Sequence, residues 1–212
     1  ELGVVNCDFA LDAMEHPVPF NPINAGEGLN SKYDEYLPSI TADEQMFLFT
    51  RRLPADNTQM GFQEDFYVSN KVDGKWGAAY GIGPKINSPS NEGAPCLSAD
   101  GEILFFVACE GDFGYGAGRQ GLGSCDIFYS YKNGNDWTTP KNLGAPVCTK
   151  WWETQPSFSS DGKTLYFIRG SVNAQGKKET DICMSTLKAG GKWTAPVKLS
   201  NKINTSGSEE SV

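Results

Sequence analysis

Carboxylate side chains recur at regular intervals in this sequence, and carboxylates often supply acid–base catalysis or bind cations. A series of glutamates and a series of aspartates each return about every 55 to 60 residues. The glutamates are Glu35, Glu92, Glu153 and Glu209, and the aspartates are Asp65, Asp126 and Asp181. The aspartates are candidate ligands around a pore. Because every copy carries the same residue type, we favour another interpretation, in which each aspartate fixes a loop-to-strand junction by accepting backbone hydrogen bonds.

Other catalytic arrangements have little support in the sequence. Nucleophilic catalysis by Ser or Cys requires a positioned histidine, and the only histidine, His16, lies outside the repeated region. A glycosidase needs two carboxylates, but among 26 acidic residues a pair can always be proposed. We therefore predict no catalytic residue, no cofactor and no metal site, and a chain that is not an enzyme.

The repeats that carry the acidic residues also predict the fold. After each of the first three glutamates come a proline, a Ser/Thr-x-Asp turn, an apolar run, a variable loop, the aspartate with a strand-like stretch, and a tryptophan. In the third copy this pattern predicts four short strands, the last over residues 192–199. Four antiparallel strands per repeat are typical of one β-propeller blade. We interpret the repeated tryptophans, Trp76, Trp137 and Trp193, as packing residues rather than sugar-stacking residues.

The predicted fold class is therefore all-β, a β-propeller of four-stranded antiparallel blades with three complete blades and a partial blade at each end. Residues 1–16 have apolar side chains at helical spacing, and we interpret them as the end of a preceding helical segment. Because propellers usually have four to eight blades, we expect further sequence or a partner chain to complete the ring. The propeller covers residues 17–212, with complete blades at 35–91, 92–152 and 153–208 and partial blades at 17–34 and 209–212.

The net charge and the cysteines indicate which partners and which cellular location to expect. The net charge of −8 argues against a nucleic-acid partner. The sequence has no run of about 18 apolar residues, so it predicts no direct membrane span. The six cysteines lack CxxC spacing, which argues against zinc. Cys109 ends one predicted strand and Cys125 begins the next, so they are a candidate disulfide, although buried cysteines also serve as small apolar residues. We expect an oxidising location.

A Gly-rich stretch, residues 111–123, is predicted to be a long insertion between the second and third strands of the second blade. It is not a phosphate-binding loop, because no Lys-Ser/Thr follows it and no helix begins there. Loops of this length often carry contacts, so we predict an interaction surface here together with a nearby tryptophan pair. For the pair, half-buried packing is an equally open alternative. The candidate surface residues are Phe113, Tyr115, Arg119, Trp151 and Trp152.

Two segments and the repeated motifs carry a family resemblance. Residues 19–24 and 33–43, with the later Ser-x-Asp-Gly, Asp-Ile-aromatic, Gly-Lys-Trp and Ile-Asn-Thr motifs, resemble the TolB-like, WD-type β-propeller of Bacteroidetes envelope proteins, in particular its PorE-like type. In that type a helical repeat domain precedes the propeller and an OmpA-like peptidoglycan-binding domain follows it. This chain lacks an OmpA-like part. It also departs from its own repeat at Cys148, where the other copies have Asn, and at Ala108, where Arg51 and Arg169 align.

The resemblance and the repeats together predict a function. We expect a non-enzymatic protein-interaction scaffold of the bacterial envelope, in the periplasm and associated with the outer membrane. The resemblance implies a place in a type IX secretion or gliding complex, linked to peptidoglycan through a domain absent here. The expected partners are envelope or outer-membrane proteins and the domains or chains that complete the propeller. The alternatives are a carbohydrate-binding or glycoside-hydrolysing propeller and, more weakly, a metal-stabilised propeller.

Overall fold

The computed structural model describes residues 2–56, 58, 60–111, 114–172, 176 and 178–212. The chain begins with helix α1 (Leu2–Glu15), whose side chains from Cys7 onward are exposed. This helix matches the helical spacing of the first sixteen residues, and its role as the end of a preceding segment stays a prediction. No helix in these ranges is long and apolar enough to cross a membrane.

Fifteen strands follow in the described ranges, grouped into three antiparallel units of similar layout. The first unit consists of β1 (Asp34–Ile40), β2 (Met46–Pro54), β3 (Phe62–Val72), β4 (Lys75–Trp76) and β5 (Tyr80–Gly81). The second consists of β6 (Glu92–Leu97), β7 (Ile103–Cys109), β8 (Cys125–Asn133), β9 (Asp136–Trp137) and β10 (Lys141–Asn142). The third consists of β11 (Trp152–Phe158), β12 (Thr164–Val172), β13 (Lys178–Lys188), β14 (Lys192–Trp193) and β15 (Val197–Lys198).

Within each unit the strands pair in sequence order, as expected for a propeller blade. In the second unit β6 pairs with β7, β7 pairs with β8, and β8 pairs with both β9 and β10. A single parallel bridge, between Trp152 of β11 and Cys125 of β8, joins the second and third units. The protein is thus all-β apart from α1, with a propeller-like arrangement. The number of blades and the closure of a ring stay predictions.

The fourth strand differs from its predicted form. The sequence predicted one strand over residues 192–199, whereas the structure has two short strands, β14 and β15, separated by residues 194–196. Pro196 lies in this gap, and proline has no N–H to donate to a strand ladder. The first unit has the same break at residues 77–79 without a proline, so proline alone does not cause it. In each unit a serine hydroxyl of the third strand donates to the first carbonyl of the gap.

The units pack face to face through the middle strands, and β7 shows why these strands are apolar throughout. Successive side chains of a strand point to opposite faces, so a strand covered on both sides needs a continuous apolar run. Leu104, Phe106 and Ala108 join a core formed with the first unit. Phe105 and Val107 join a separate core formed with the third unit.

The Ser/Thr-x-Asp motifs form the tight turns between the first and second strands, as predicted. In the second unit the Ser98 hydroxyl donates to Asp100 Oδ1 at 2.6 Å, and the Glu102 N–H donates to the same oxygen at 3.1 Å. These bonds hold the pKa of Asp100 below its usual value, the Ser98 hydroxyl contributing most. Gly101 has φ +73°, which favours glycine. The same side-chain bond recurs between Thr41 and Asp43 and between Ser159 and Asp161.

The proline that follows each repeated glutamate marks a β-bulge in the innermost strand. The pairing register shifts at this point in β1, β6 and β11. The residue before each proline has a positive φ near 50°. A bulge leaves one residue unpaired, which is where proline is tolerated in a sheet. The positive-φ residues are Leu37, Ala94 and Gln155, at 51°, 50° and 48°.

Neighbouring innermost strands are tied by side-chain bonds just after the bulge. The Leu97 N–H donates to Ser39 Oγ at 2.9 Å, which links β6 to β1. At the equivalent place the Phe158 N–H donates to Cys96 Sγ at 3.3 Å, which links β11 to β6. Cys96 therefore accepts the same backbone hydrogen bond as Ser39 does one repeat earlier.

We expect the Phe106→Ala substitution to lower the free energy of unfolding by about 3–5 kcal/mol. Phe106 is fully buried, and its ring centroid lies 5.7 Å from that of Phe66 and 6.0 Å from that of Phe128. Urea unfolding followed by tryptophan fluorescence measures the change. Tyr131→Ala is the control, because Tyr131 is 51% exposed and its loss is expected to change stability by less than about 1 kcal/mol. Equal effects of the two substitutions would contradict the assignment of this core.

Candidate functional site

The repeated glutamates are hydrogen-bonded anchors, and the buried Glu92 shows the arrangement most completely. Its carboxylate accepts hydrogen bonds from the Ser88 N–H at 3.0 Å and the Ser88 hydroxyl at 2.5 Å. Arg119 Nη1 donates to the same carboxylate at 2.8 Å, and both side chains are almost completely excluded from solvent. Burial raises the pKa of Glu92, while the bonds from Ser88 and the charge of Arg119 act in the opposite direction.

The same clip of a glutamate, a Ser/Thr four residues earlier and an arginine occurs in the other two units. The guanidinium also donates to a backbone carbonyl six residues before the glutamate, which ties the preceding loop to the sheet. In the first unit the clip consists of Glu35, Ser31 and Arg51, with the carbonyl of Leu29. In the third it consists of Glu153, Thr149 and Arg169, with the carbonyl of Val147.

The arginine of the second clip comes from a different place in the chain. Arg51 and Arg169 stand opposite their glutamates on the second strand of the unit, whereas Ala108 stands opposite Glu92. Arg119 reaches the same position from the Gly-rich insertion and also donates to the carbonyl of Ile86. Its guanidinium lies 5.1 Å from the Phe106 ring, as the other two lie over the equivalent Phe49 and Phe167. The insertion therefore supplies a cation that the strand lacks.

The fourth glutamate has only half of this arrangement. Glu209 accepts bonds from the Thr205 N–H at 2.8 Å and the Thr205 hydroxyl at 2.7 Å, which hold its pKa below the usual value. Its other oxygen, Oε2, has no hydrogen-bond partner among the described residues.

Two of the five predicted surface residues lie inside the protein. Tyr115 is buried, its ring packs 5.9 Å from that of Phe128, and its hydroxyl donates to the Gly123 carbonyl. Arg119 is buried in the clip. Both side chains fold the insertion onto the sheet, so they leave little surface for a partner. Phe113 lies outside the described residues.

The two tryptophans of the pair differ, because one packs against the core and the other is exposed. Trp152 packs against the core between the second and third units, and a Cβ atom at Gly170 would lie only 2.8 Å from its ring. Trp151 is 41% exposed, with the Lys150 ammonium 5.1 Å from its ring centroid. The two residues line a groove of about 510 Å³ at the loop end of these units. Other residues of the groove are Ser124, Val172, Lys178 and Glu179.

The candidate disulfide pair lies at the base of the insertion. Cys109 and Cys125 are directly opposite in the pairing of β7 with β8, and their side chains form a disulfide. The bond closes the loop that carries Arg119. The other cysteines are free thiols, at Cys7, Cys96, Cys148 and Cys183.

The three repeated aspartates do not share one role. Asp126 accepts bonds from the Leu122 N–H at 2.5 Å and the Gly123 N–H at 3.4 Å, as predicted for a loop-to-strand junction. Asp65 accepts a bond from the Gln63 side chain, and Asp181 is paired with Lys198. Of these three aspartates, Asp126 alone accepts bonds from backbone N–H groups of the described residues, so the interpretation is confirmed for that aspartate.

The repeated tryptophans pack against aromatic neighbours. Trp137 is buried in the core between the first and second units. The Trp193 ring lies 6.5 Å from that of Phe105 in the second unit, and the Trp76 ring lies 5.3 Å from that of Phe47. Packing, rather than sugar stacking, accounts for all three.

Solved structures similar to this chain have propeller-like folds. A Mycobacterium tuberculosis puromycin-hydrolyzing peptidase is 13% identical, with a TM-score of 0.46 over 79% of this chain and 23% of that chain. A hypothetical selenium-binding protein from Sulfolobus tokodaii is 12% identical, with a TM-score of 0.44 over 87% and 45%. A Trypanosoma rangeli sialidase is 14% identical, with a TM-score of 0.42 over 76% and 30%. The chain thus spans less than half the length of each.

These comparisons correct one prediction and leave another untested. The prediction that the chain is not an enzyme is wrong, because the similar structures include a peptidase and a sialidase, so propeller-like folds of this kind occur in enzymes. At this level of similarity no activity carries over to the chain. No family model and no curated protein matches the sequence. The resemblance to TolB-like and PorE-like proteins therefore stays a prediction.

We expect Arg119→Ala to destabilise the protein by about 3–5 kcal/mol, because it leaves the Glu92 carboxylate buried without its cation. Chemical denaturation at neutral pH measures the loss. Arg52→Ala is the matched control, since Arg52 is 46% exposed and lies 3.9 Å from Asp34, a surface pair expected to contribute less than about 1 kcal/mol.

The double substitution Ala108→Arg with Arg119→Ala tests whether the position of the cation, rather than the loop itself, is what matters. It places the arginine on the strand, as in the first and third units. We expect it to regain at least half of the stability lost by Arg119→Ala. A double variant no more stable than the single one would show that Arg119 does not replace the missing strand arginine.

Proposed function

We propose that this chain is a protein-binding module of a bacterial cell envelope and that the groove beside Trp151 holds a segment of its partner. The observation that carries the proposal is the exposed Trp151 ring in a groove of about 510 Å³. Tryptophan is among the residues that most often dominate the binding free energy of protein interfaces. An exposed aromatic ring in a preformed groove is therefore a reasonable anchor for a polypeptide.

The groove has a rigid base, which favours binding because little order is lost on association. The Ser124 N–H donates to the Trp151 carbonyl at 3.0 Å, and the adjacent Trp152 is packed into the core. Val172, which is 42% exposed, adds apolar surface to the lining of the groove. Among the described residues, Lys150 and Lys178 line the groove together with the single acidic residue Glu179, so two positive charges face one negative charge. The proposed partner segment is therefore apolar with an acidic residue beside it.

The proposed location is the periplasm, in association with the outer membrane. The Cys109–Cys125 disulfide supports an oxidising compartment, because such bonds are rare where thiols are kept reduced. The family resemblance supports an envelope complex of the type IX secretion kind, and we propose an envelope or outer-membrane protein as the partner.

A photo-reactive residue at position 172 tests this function in cells that produce the protein. Position 197 is the matched control, because Val197 is also exposed, at 57%, but lies outside the groove. We expect a defined envelope protein to cross-link from position 172 and not from position 197. With that partner purified, Trp151→Ala is expected to weaken binding at least tenfold, whereas Tyr131→Ala leaves it unchanged.

Two outcomes would overturn the proposal. One is equal cross-linking from both positions, which would mean that the groove has no specific occupant. The other is binding of purified cell-wall glycans that depends on Trp151 without any protein cross-link. That result would favour the carbohydrate-binding alternative.

A further inference from the structure

Three buried side chains with metal-binding atoms meet between the second and third units. Asp126 and Glu153 are fully buried and Cys148 is 1% exposed. One ligand atom from each, a carboxylate oxygen or the thiol sulfur, lies within 4.8 Å of the others. No other described part of the chain brings three such residues together in this way.

Cys148 is a departure from the repeat at this place. After the first and the third unit an asparagine occupies the equivalent position, and its side-chain amide bonds both the N–H and the carbonyl of one residue on the third strand of that unit. Asn87 bonds the N–H and carbonyl of Phe66 at 2.9 and 3.0 Å, and Asn204 does the same with Ile182 at 2.8 and 2.9 Å. Cys148 makes only a weak bond to the Ile127 carbonyl, at 3.4 Å. The Cys148 thiol therefore replaces an amide that makes two backbone hydrogen bonds in the other units, and among the described residues it makes only one weak hydrogen bond itself.

Asp126 also lacks the cation that its counterpart has. In the third unit the Lys198 ammonium lies 2.5 Å from Asp181, whereas Asn142 occupies the corresponding place beside Asp126 and donates a neutral bond at 3.1 Å. Asp126 Oδ1 is buried and has no hydrogen-bond partner among the described residues. An unpaired buried carboxylate oxygen is costly, and a bound cation would satisfy it.

We propose that Asp126, Cys148 and Glu153 bind one divalent transition-metal ion, for which zinc is the best fit. Zinc accepts thiolate and carboxylate ligands together, at about 2.3 and 2.0–2.2 Å, and a water molecule can supply a fourth ligand. In tetrahedral coordination with these bond lengths two ligand atoms lie about 3.5 Å apart, so atoms that are separated by up to 4.8 Å would have to approach one another by up to about 1.3 Å. On binding, the Cys148 thiol releases its proton to solvent and the thiolate bonds the metal.

Glu153 can take part without leaving its clip. Arg169 Nε bonds Oε1 of Glu153 at 2.9 Å, and among the described residues Oε2 accepts a bond only from the Thr149 N–H, at 2.9 Å. A carboxylate oxygen has room for a second partner, so Oε2 is free to bind the ion. Because Asp126 lies on β8 and Glu153 on β11, the ion would join the second and third units.

The experiment measures metal content of the full chain in a Cys7→Ser background, which removes an exposed thiol from α1. The protein is produced in zinc-supplemented medium and purified without chelators. We expect close to one zinc ion per chain. For Cys148→Asn, which introduces the asparagine found at the equivalent positions of the repeat, we expect a zinc content at least tenfold lower. Asp181→Asn and Cys96→Ser are controls that keep the metal.

Cobalt provides a second readout that a purely structural role of Cys148 would not produce. Added to metal-free protein, Co²⁺ is expected to give a thiolate charge-transfer band that Cys148→Asn abolishes and Cys96→Ser retains. Circular dichroism confirms that each variant is folded. The proposal would be overturned if the Cys7→Ser protein contained no more zinc than its Cys148→Asn variant, or if the cobalt band survived in that variant.

Discussion

A buried carboxylate must be neutralised, and this constraint organises the fold. Each unit places a glutamate at the start of its innermost strand, fully buried in the second and third units and partly buried in the first. The carboxylate holds the loop before it through a Ser or Thr, and the arginine that neutralises it holds the same loop through a backbone carbonyl. One ionic group thus fixes the connection between consecutive units. The apolar cores then form on both faces of strands whose positions are already set.

The repeated part of the fold could be predicted from sequence because its signals are local. The tight turns and the apolar middle strands each depend on residues a few positions apart, and both lie where the pattern predicted them. The bulge at the repeated proline was not predicted. The fourth strand was predicted too long, because period and composition do not reveal that a serine hydroxyl of the third strand bonds a backbone carbonyl in the middle of it. The closure of the ring depends on contacts over distances that the repeat pattern does not encode.

The candidate site was predicted less well, for a related reason. A Gly-rich insertion with aromatic and basic residues has the composition of a binding loop, and composition does not report burial. The relevant signal was present in two places: the second repeat lacks an arginine at Ala108, and the insertion contains a single arginine. Only the three-dimensional arrangement connects the two. The exposure of Trp151 next to the partly buried Trp152 likewise depends on how each ring packs in three dimensions.

The origin of Arg119 has a consequence for how such sequences change. Long surface loops usually tolerate insertions and deletions, because few contacts depend on them. Here the loop carries a core cation, so shortening it would remove part of the interior, and the alanine on the neighbouring strand would be harmful without it. Positions 108 and 119 are therefore coupled across ten intervening residues, in a loop whose length can vary. In an alignment of related chains, the arginine would shift between columns while its place in space stayed the same.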